Sequence, residues 1–513
     1  MDRLTPEALL DEMRRLRAAI DREAKAQLGR WRPLLRRRSF RASAVNLSHY
    51  LALRRRDLRS LQAALVPWGL SSLGRAESRV MASLDAVIAS LAAICRQEGG
   101  KLPERPPLRA FQRGTRTLAR NTDLLLGPAS GGRKTRIMVT VAKKGAESLD
   151  HVRTLVRAGM DCARINCAHD DPATWAQIIA NLRLAGEEAG RHCRVLMDLA
   201  GPKVRTEQVL KPKDNRPVQP GDRILITYAT PARDESFPYQ ASCSLPDALH
   251  QVSVGAPISI KDGLISGRVE ALRPEGVVMS VTRTGPDGEP LRSGKGINFP
   301  GTALSIDALT EQDLSDLDFI AENADIVSYS FVQRPEDIAR LQAELETRRP
   351  GLAPLPIVAK IETKLAFANL PELIAQAAGS NPFAVMIARG DLAIEIGFER
   401  LSEVQEEILW ICEAAHVPVI WATQVLESLV KRGMPSRAEY TDAAMSTRAE
   451  CVMLNKGPYV ADAVAVLADV FRRMEAHQIK KMPQLRALAA WQRTGAPFTL
   501  VGPPETGKTL AGD

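Results

Sequence analysis

Hydrophobic and polar positions follow one repeating pattern from residue 136 onwards. Eight short apolar runs are each followed by a segment in which apolar residues recur every three or four positions. The apolar runs predict parallel strands buried on both faces, at 136–141, 162–168, 194–200, 325–332, 355–362, 382–390, 417–424 and 451–457. The amphipathic segments predict helices near 147–158, 173–189, 309–323, 335–348, 366–378, 399–415, 436–448 and 459–476.

Eight strand–helix units in succession predict an α/β fold of the TIM (β/α)₈ barrel class. A doubly wound open sheet is the second choice, because the chain has no Gly-rich dinucleotide-binding turn. The stretch 206–296 interrupts the units with many turn residues and without a long helical pattern. It predicts an inserted small β-barrel lid domain on the loop after the third strand, where barrels carry function.

The first 130 residues follow a helical pattern. Thr5 and Pro6 indicate a helix start, and 80–94 is a further apolar-periodic segment. The predicted organisation is a basic helical extension at 1–130, a first barrel part at 131–205, a β lid at 206–296, a second barrel part at 297–480 and a tail at 481–513.

Charge is unevenly distributed along the 513 residues. Residues 1–130 hold 25 Lys and Arg against 12 Asp and Glu, which accounts for the whole basic excess of a chain with net charge +9. No DNA-binding motif or interleaved aromatic residues accompany this excess, so nucleic acid is not the expected partner. No apolar run reaches the roughly 20 residues of a membrane span, and the N-terminus has no signal region. We therefore expect a cytoplasmic protein without a membrane partner.

Polar residues stand where the predicted strands end. Because catalytic groups of a TIM barrel lie at the C-terminal ends of its strands, we expect them to meet at one mouth. Lys360 and Glu362 are two positions apart on one strand, so both face the barrel interior. A structural salt bridge is one interpretation of this pair. The residues at strand ends are Arg164, Asn166, Asp198, Lys203, Arg205, Lys360, Glu362, Arg389, Asp391, Thr423 and Gln424.

Glu362 and Asp391 together supply two hard oxygen donors from adjacent strands. Mg²⁺ typically takes one or two carboxylates and leaves its other positions to water and substrate oxygens. Such an ion polarises a carbonyl and neutralises phosphate charge, and Lys360 would stabilise an anion that forms beside it.

Eight stretches carry a family resemblance, and these are ARINCAHD, MDLAGPKVRT, IKDGLISG, KGINFPG, VAKIETK, MIARGDLAIEI, WATQVLESLVKRGMPSRAE and CVML. In this order and spacing, over roughly residues 135–475, the chain resembles the pyruvate kinase family. The resemblance implies a glycolytic phosphotransferase that moves a phosphoryl group from phosphoenolpyruvate to ADP, giving pyruvate and ATP. It also implies a homo-oligomer and a TIM barrel with a mobile lid.

The resemblance implies roles residue by residue. Lys360 matches the lysine that stabilises the enolate of pyruvate, and Thr423 matches the residue associated with its protonation. Arg164 matches the arginine that holds the transferring phosphoryl group. Glu362 and Asp391 match the ligands of Mg²⁺ or Mn²⁺.

The same resemblance also implies which residues bind the substrate carboxylate and which bind the nucleotide. The backbone of Ala388, Arg389 and Gly390 matches the segment that receives the substrate carboxylate, with Asp391 and Thr423 beside it. The nucleotide side is assigned to Arg164, His169 and Arg205.

The family's monovalent-cation site is altered. Asn166 and Asp198 match two of its ligands, and Leu199 offers a backbone carbonyl, but Ala168 stands where serine is usual. Lys203 replaces a glutamate. An ammonium group can fill the electrostatic role of bound K⁺, so we expect no K⁺ requirement.

Other departures lie around the nucleotide, where TVAKKG, Ala200 and 455–459 differ from the family pattern. The pyruvate half of the site is therefore better supported than the ADP half. An enolate-forming, metal-dependent lyase and a non-catalytic sensor of phosphoenolpyruvate or pyruvate are the alternatives. About 40 residues follow Met474, too few for the family's regulatory domain. Residues 502–509 match the Walker A pattern, but we interpret them as a tail because only 510–513 follow.

Overall fold

A computed structural model describes residues 5–95, 103–302, 304–480 and 482–483. The strands, in chain order, are β1 (Arg136–Thr140), β2 (Cys162–Asn166), β3 (Arg194–Asp198), β4 (Thr206–Leu210), β5 (Arg223–Thr227), β6 (Tyr239–Cys243), β7 (Pro257–Ile260), β8 (Ile265–Arg273), β9 (Gly276–Arg283), β10 (Ile297–Asn298), β11 (Ile326–Tyr329), β12 (Ile357–Ile361), β13 (Phe383–Ala388), β14 (Val419–Ala422), β15 (Cys451–Leu454), β16 (Gln478–Ile479) and β17 (Met482–Pro483).

The helices precede, surround and follow these strands. They are α1 (Pro6–Trp31), α2 (Arg41–Arg54), α3 (Arg59–Leu65), α4 (Val80–Ile94), α5 (Leu108–Leu126), α6 (Lys144–Glu147), α7 (Leu149–Ala158), α8 (Pro172–Glu188), α9 (Pro246–Leu249), α10 (Glu311–Asn323), α11 (Pro335–Arg348), α12 (Lys364–Ala368), α13 (Leu370–Ala378), α14 (Arg389–Ile396), α15 (Phe398–Ala414), α16 (Glu427–Arg432), α17 (Arg437–Met445) and α18 (Val460–Glu475).

The fold is the predicted TIM barrel. Strands β1, β2, β3 and β11 to β15 form a closed barrel in chain order, with β15 paired to β1. Every pairing within it is parallel. Each predicted strand contains one of these eight, which confirms the prediction from the buried apolar runs.

The predicted insert also forms a separate sheet. Strands β4 to β10 make a seven-stranded sheet in the order β10-β7-β8-β9-β5-β6-β4. Its two edges meet where Arg205 forms an antiparallel bridge with Gly296, so the sheet curls on itself. It encloses its own hydrophobic core.

The N-terminal helices pack on the barrel. The predicted helix start is confirmed, since the Thr5 side chain caps α1 by accepting a hydrogen bond from the backbone N–H of Ala8. The amide of Asn46 donates to the backbone oxygen of Ala414 at the end of α15, 2.8 Å away. The buried imidazole of His416 makes hydrogen-bond contacts with the Ser43 hydroxyl (2.9 Å) and the Ser78 carbonyl (3.0 Å).

The end of α5 seals the floor of the barrel. Leu125 and Leu126 belong to one buried cluster with interior side chains from all eight barrel strands. The carbonyl of Leu126 accepts a hydrogen bond from the Cys162 thiol, 3.2 Å away, at the start of β2. The barrel floor is thus completed by residues that precede its first strand.

Some predictions stay untested. The exact domain boundaries remain predictions, and the tail 481–513 with its Walker-like stretch lies outside the described residues except for 482–483. Within the described residues, no helix combines the length and apolar character needed to cross a bilayer. The cysteines are free thiols, and all except the half-buried Cys95 are buried.

Candidate active site

Lys360 lies at the centre of the barrel mouth. Near the end of β12, its ammonium nitrogen donates to the Ser330 hydroxyl at 2.7 Å. It lies 3.1 Å from Glu362 Oε1 and 3.5 Å from Asp198 Oδ2. Burial alone would lower the pKa of Lys360, but the two carboxylates outweigh it and raise this pKa. The ammonium group therefore stays protonated at neutral pH.

Glu362 directly follows β12 and is almost fully buried. Its Oε2 accepts a hydrogen bond from the backbone N–H of Phe331 at 2.6 Å. Phe331 has a φ of +55°, a strained left-handed conformation for a bulky residue. Burial, together with the negative charge of Asp391, raises the pKa of Glu362, and Lys360 opposes this effect.

Asp391 lies in the first turn of α14 and is held by the segment that leads into the inserted sheet and by β10, the last strand of that sheet. The ammonium nitrogen of Lys203 is 3.0 Å from each of its carboxylate oxygens, and the amide of Asn298 donates to Oδ1 at 3.1 Å. Burial would raise the pKa of Asp391, but the ammonium of Lys203, together with the Asn298 amide and the charge of Lys360, holds it below its usual value.

The two carboxylates fit a hard divalent cation. Glu362 and Asp391 share the mouth closely enough for the charge of Asp391 to raise the pKa of Glu362, a repulsion that a bound cation would relieve. Within the described residues, no group of three or more His, Cys, Asp and Glu side chains is arranged to hold a metal ion. Two oxygen ligands suit Mg²⁺ or Mn²⁺ better than zinc, which prefers three or four nitrogen or sulfur ligands.

Arg164 extends the charged network to β2. Its Nε donates to Asp198 Oδ2 at 2.8 Å, and its Nη1 donates to the Thr140 hydroxyl at 3.1 Å. Although burial opposes ionisation, Lys360 and Arg164 lower the pKa of Asp198. Arg164 and Lys360 thus flank one buried carboxylate.

Three of the residues assigned to the monovalent-cation site lie together where β2 and β3 end. Asn166 and Asp198 are neighbours across β2 and β3. The carbonyl of Leu199 accepts a hydrogen bond from the Ser330 hydroxyl at 2.6 Å. Lys203 instead forms its ion pair with Asp391, one of the predicted metal ligands. Whether its ammonium replaces K⁺ stays a prediction.

The segment after β13 is fixed by the segment after β14. The backbone N–H of Gly390 donates to the Thr423 hydroxyl at 3.0 Å, and Thr423 has a φ of +55°. The Arg389 side chain binds Asp442 on α17 through two hydrogen bonds of 2.6 and 2.9 Å and lies over the Trp421 ring. The guanidinium also donates to the backbone oxygen of Ala422 at 2.9 Å and to that of Thr423, so it is engaged by the segment after β14 as well as by α17.

The predicted nucleotide side is cationic. Burial lowers the pKa of His169, and the nearby charges of Lys456, Arg205 and Arg164 lower it further. Arg205 lies at the base of the insert, where its backbone N–H donates to the Ser244 hydroxyl at 2.9 Å. Three cations around a neutral imidazole give this side of the mouth a positive potential, which attracts polyanions.

Sequence reasoning missed four residues of this network. Thr140 ends β1 and Ser330 directly follows β11. The rule that polar residues at the C-terminal ends of barrel strands are site candidates, called the strand-end rule, would therefore have found both. Asn298 lies in the KGINFPG stretch, whose role could be seen only once the insert was placed. Asp442 gave no local signal, because it lies on a helix far along the chain from its partner Arg389.

Comparison with known proteins agrees with this geometry. The family model described as pyruvate kinase, barrel domain, matches residues 132–464, which is more than half of the chain. The chain belongs to the pyruvate kinase family. The match spans the barrel and the inserted sheet but not helices α1 to α5.

Several curated pyruvate kinases are similar to this chain. The human pyruvate kinase PKLR is 33% identical over 390 residues, or 73% of this chain and 66% of the human protein. The pyruvate kinase of Geobacillus stearothermophilus is 33% identical over 352 residues, or 67% of this chain and 57% of that protein. That of Dictyostelium discoideum is 31% identical over 369 residues, or 70% of each. The chain therefore spans somewhat less than two thirds of the first two relatives.

Proposed function

We propose that this protein transfers a phosphoryl group between phosphoenolpyruvate and ADP, giving pyruvate and ATP in the cytoplasm. The observation that carries the proposal is the buried mouth itself. There, the Lys360 ammonium lies 3.1 Å from Glu362 and shares the site with Asp391. This cation beside two carboxylates suits a reaction in which an enolate forms next to a phosphate whose charge a divalent cation would neutralise.

Glu362 and Asp391 are the proposed ligands of Mg²⁺ or Mn²⁺, which would neutralise phosphate charge and polarise the enolate oxygen. Arg164 would neutralise charge on the moving phosphoryl group, and the backbone of 388–390 would receive the substrate carboxylate. The phosphorus–oxygen bond of phosphoenolpyruvate breaks, and a new one forms to the terminal phosphate of ADP.

The chain's own residues then handle the three-carbon product. The Lys360 ammonium stabilises the enolate oxygen left behind by the phosphoryl group. A proton must reach the methylene carbon of the enolate to give pyruvate. The Thr423 hydroxyl, fixed by the Gly390 N–H, is the proposed group on that proton path.

One experiment separates this proposal from its alternatives. Pyruvate formation from phosphoenolpyruvate is measured with and without ADP, beside calorimetric titration of each ligand. ADP-dependent turnover supports the kinase. Enolate exchange without ADP indicates the lyase, and binding without turnover indicates the sensor, so either result would reject the proposal.

Independence from K⁺ is part of the proposal. The ammonium of Lys203 brings a fixed positive charge into the mouth, which supports it. The rate in tetramethylammonium chloride should match the rate in KCl, whereas a strong requirement for KCl would contradict the assignment. The proposed homo-oligomer is tested separately by size-exclusion chromatography with light scattering.

A further inference from the structure

Helix α5 carries four arginines on one side. Arg109, Arg113, Arg116 and Arg120 are spaced by four, three and four residues, and all four are exposed. With 3.6 residues per turn, they fall within about 60° of one another and span about 16 Å of the helix. They form a straight cationic stripe.

No acidic residue balances this stripe. Within the described residues, none of its four arginines forms an ion pair with Asp or Glu. The segment 105–122 holds five arginines and no Asp or Glu. Helix α1 differs, because it mixes its arginines with five acidic residues. Asp123, the acidic residue of α5, is paired with Arg136, so the four arginines are left without an ion-pair partner among the described residues.

A second basic segment lies beside the stripe. Residues 24–56 also contain no Asp or Glu. Arg37 within it is near enough to Arg120 for that charge to add to burial in lowering the pKa of Arg37. The four arginines of the stripe and three exposed arginines close to Arg37 in the chain are called the arginine face, and they are Arg36, Arg38, Arg41, Arg109, Arg113, Arg116 and Arg120.

The support under the arginine face is rigid. The amide of Asn121 donates to the backbone oxygen of His416 at 2.8 Å, and Arg136 Nε donates to the carbonyl of Gly127 at 3.0 Å. Leu125 and Leu126 are buried in the barrel floor. A partner would therefore meet a helix that is already in place, and the ordering cost of binding would fall mainly on the arginine side chains.

The chemistry of the face favours one class of partner. The exposed aromatic side chains of the described residues lie elsewhere, at Trp68, Phe398, Tyr440 and Tyr459, so unpaired bases find no stacking surface here. The buried side chains of α5 include Leu118, Thr122, Leu125 and Leu126, so the apolar side of the helix is not free to enter a bilayer. Guanidinium groups pair bidentately with carboxylates. We propose that the arginine face binds an acidic segment of another protein, with carboxylates at helical spacing.

The test measures binding of fluorescent poly-L-glutamate to the full chain by anisotropy in about 0.1 M salt, where the screening length is about 10 Å. The variant R109E/R116E reverses two charges of the stripe. The matched control R15E/R22E makes the same change at the same seven-residue spacing on the exposed side of α1. We expect the first to weaken binding about tenfold or more and the control less than about twofold.

Three results would overturn the proposal. The first is that the unaltered chain shows no saturable binding of poly-L-glutamate. The second is that both double variants lose affinity for it equally. The third is tighter binding to a DNA duplex or to vesicles of anionic lipid that R109E/R116E abolishes, because the partner class would then be wrong. Circular dichroism and unchanged pyruvate formation by both variants verify folding, so a loss of binding is assigned to charge.

Discussion

The ammonium nitrogen of Lys203 lies 3.0 Å from both carboxylate oxygens of Asp391. Because Asp391 is a proposed metal ligand, this ammonium and a divalent cation compete for the same oxygens. We expect Lys203→Met to bind Mn²⁺ about tenfold more tightly, a gain of about 1.4 kcal/mol, as measured by electron paramagnetic resonance of free Mn²⁺. Lys364→Met is the control, since it leaves this pair intact. Unchanged or weaker Mn²⁺ binding by Lys203→Met would contradict the competition.

Lys360→Met tests the proposed enolate stabiliser. Removing the ammonium that lies 3.1 Å from Glu362 should lower turnover of phosphoenolpyruvate by about a thousandfold or more. Steady-state pyruvate formation gives the rate, and circular dichroism verifies that the variant folds. Lys431→Met, which removes an exposed ammonium from Glu427, should keep the normal rate. A near-normal rate in Lys360→Met would remove Lys360 from the mechanism.

Asp442→Asn tests a positioning role. Asp442 holds the Arg389 guanidinium by two hydrogen bonds, beside those to the carbonyls of Ala422 and Thr423, and so helps to fix the backbone of 388–390. Losing the charge should raise KM for phosphoenolpyruvate about tenfold while kcat changes less. Asp469→Asn breaks an exposed ion pair with Arg473 and should leave both constants unchanged. An equal effect of the two substitutions would mean that Asp442 is only structural.

Asp161→Asn tests a buried ion pair at the barrel base. Its carboxylate lies 3.0 Å from Arg133 Nη2, and both side chains are 2% exposed or less. Breaking it leaves a buried guanidinium without its counter-ion, so urea unfolding should show a loss of about 3–5 kcal/mol. Asp150→Asn, in an exposed pair with Arg153, should cost less than about 1 kcal/mol. A similarly small cost at Asp161 would show that the pair contributes little.

His416 should make stability fall in mild acid. Burial lowers its pKa from 6.5, with the Ser78 carbonyl and Glu413 opposing and Arg113 adding to the effect. The unfolded chain therefore takes up this proton first, and stability is lost as the pH falls below about 6.5. Below this pH, His416 should lower the free energy of unfolding by up to about 1.4 kcal/mol per pH unit.

Urea unfolding at pH 7.5 and 5.5 measures this loss. His416→Asn should show a smaller drop between the two values, because it removes the titrating group. Asparagine also tolerates the φ of +52° at this position. An identical pH dependence in the variant and the unaltered chain would refute the role of His416.

The barrel could be predicted because strands buried on both faces appear in the sequence as continuous apolar runs. The predicted strands, however, extended further than the observed strands. The seventh was placed at 417–424, whereas β14 is Val419–Ala422. Thr423 and Gln424 have φ of +55° and +57°, so the backbone leaves the sheet at this point. Left-handed residues other than glycine give little signal in a single sequence.

Partners across the mouth were harder to predict. The strand-end rule brought Lys360, Glu362 and Asp198 together correctly, because their strands are fixed by the barrel. The partner of Lys203 depends on how the connections to the inserted sheet cross the mouth, which no local pattern records. The entry of Leu126 into the barrel floor was equally invisible, since its helical pattern resembles that of any amphipathic helix.

The leucine pair at the end of α5 has a consequence for synthesis on the ribosome. Leu125 and Leu126 leave the exit tunnel well before β15, the last strand needed to enclose them. The residues that close the barrel floor are thus synthesised before the barrel itself. Until the last strand is synthesised, the nascent chain exposes these two leucines. A shortened chain that begins at β1 would form a barrel whose floor lacks them.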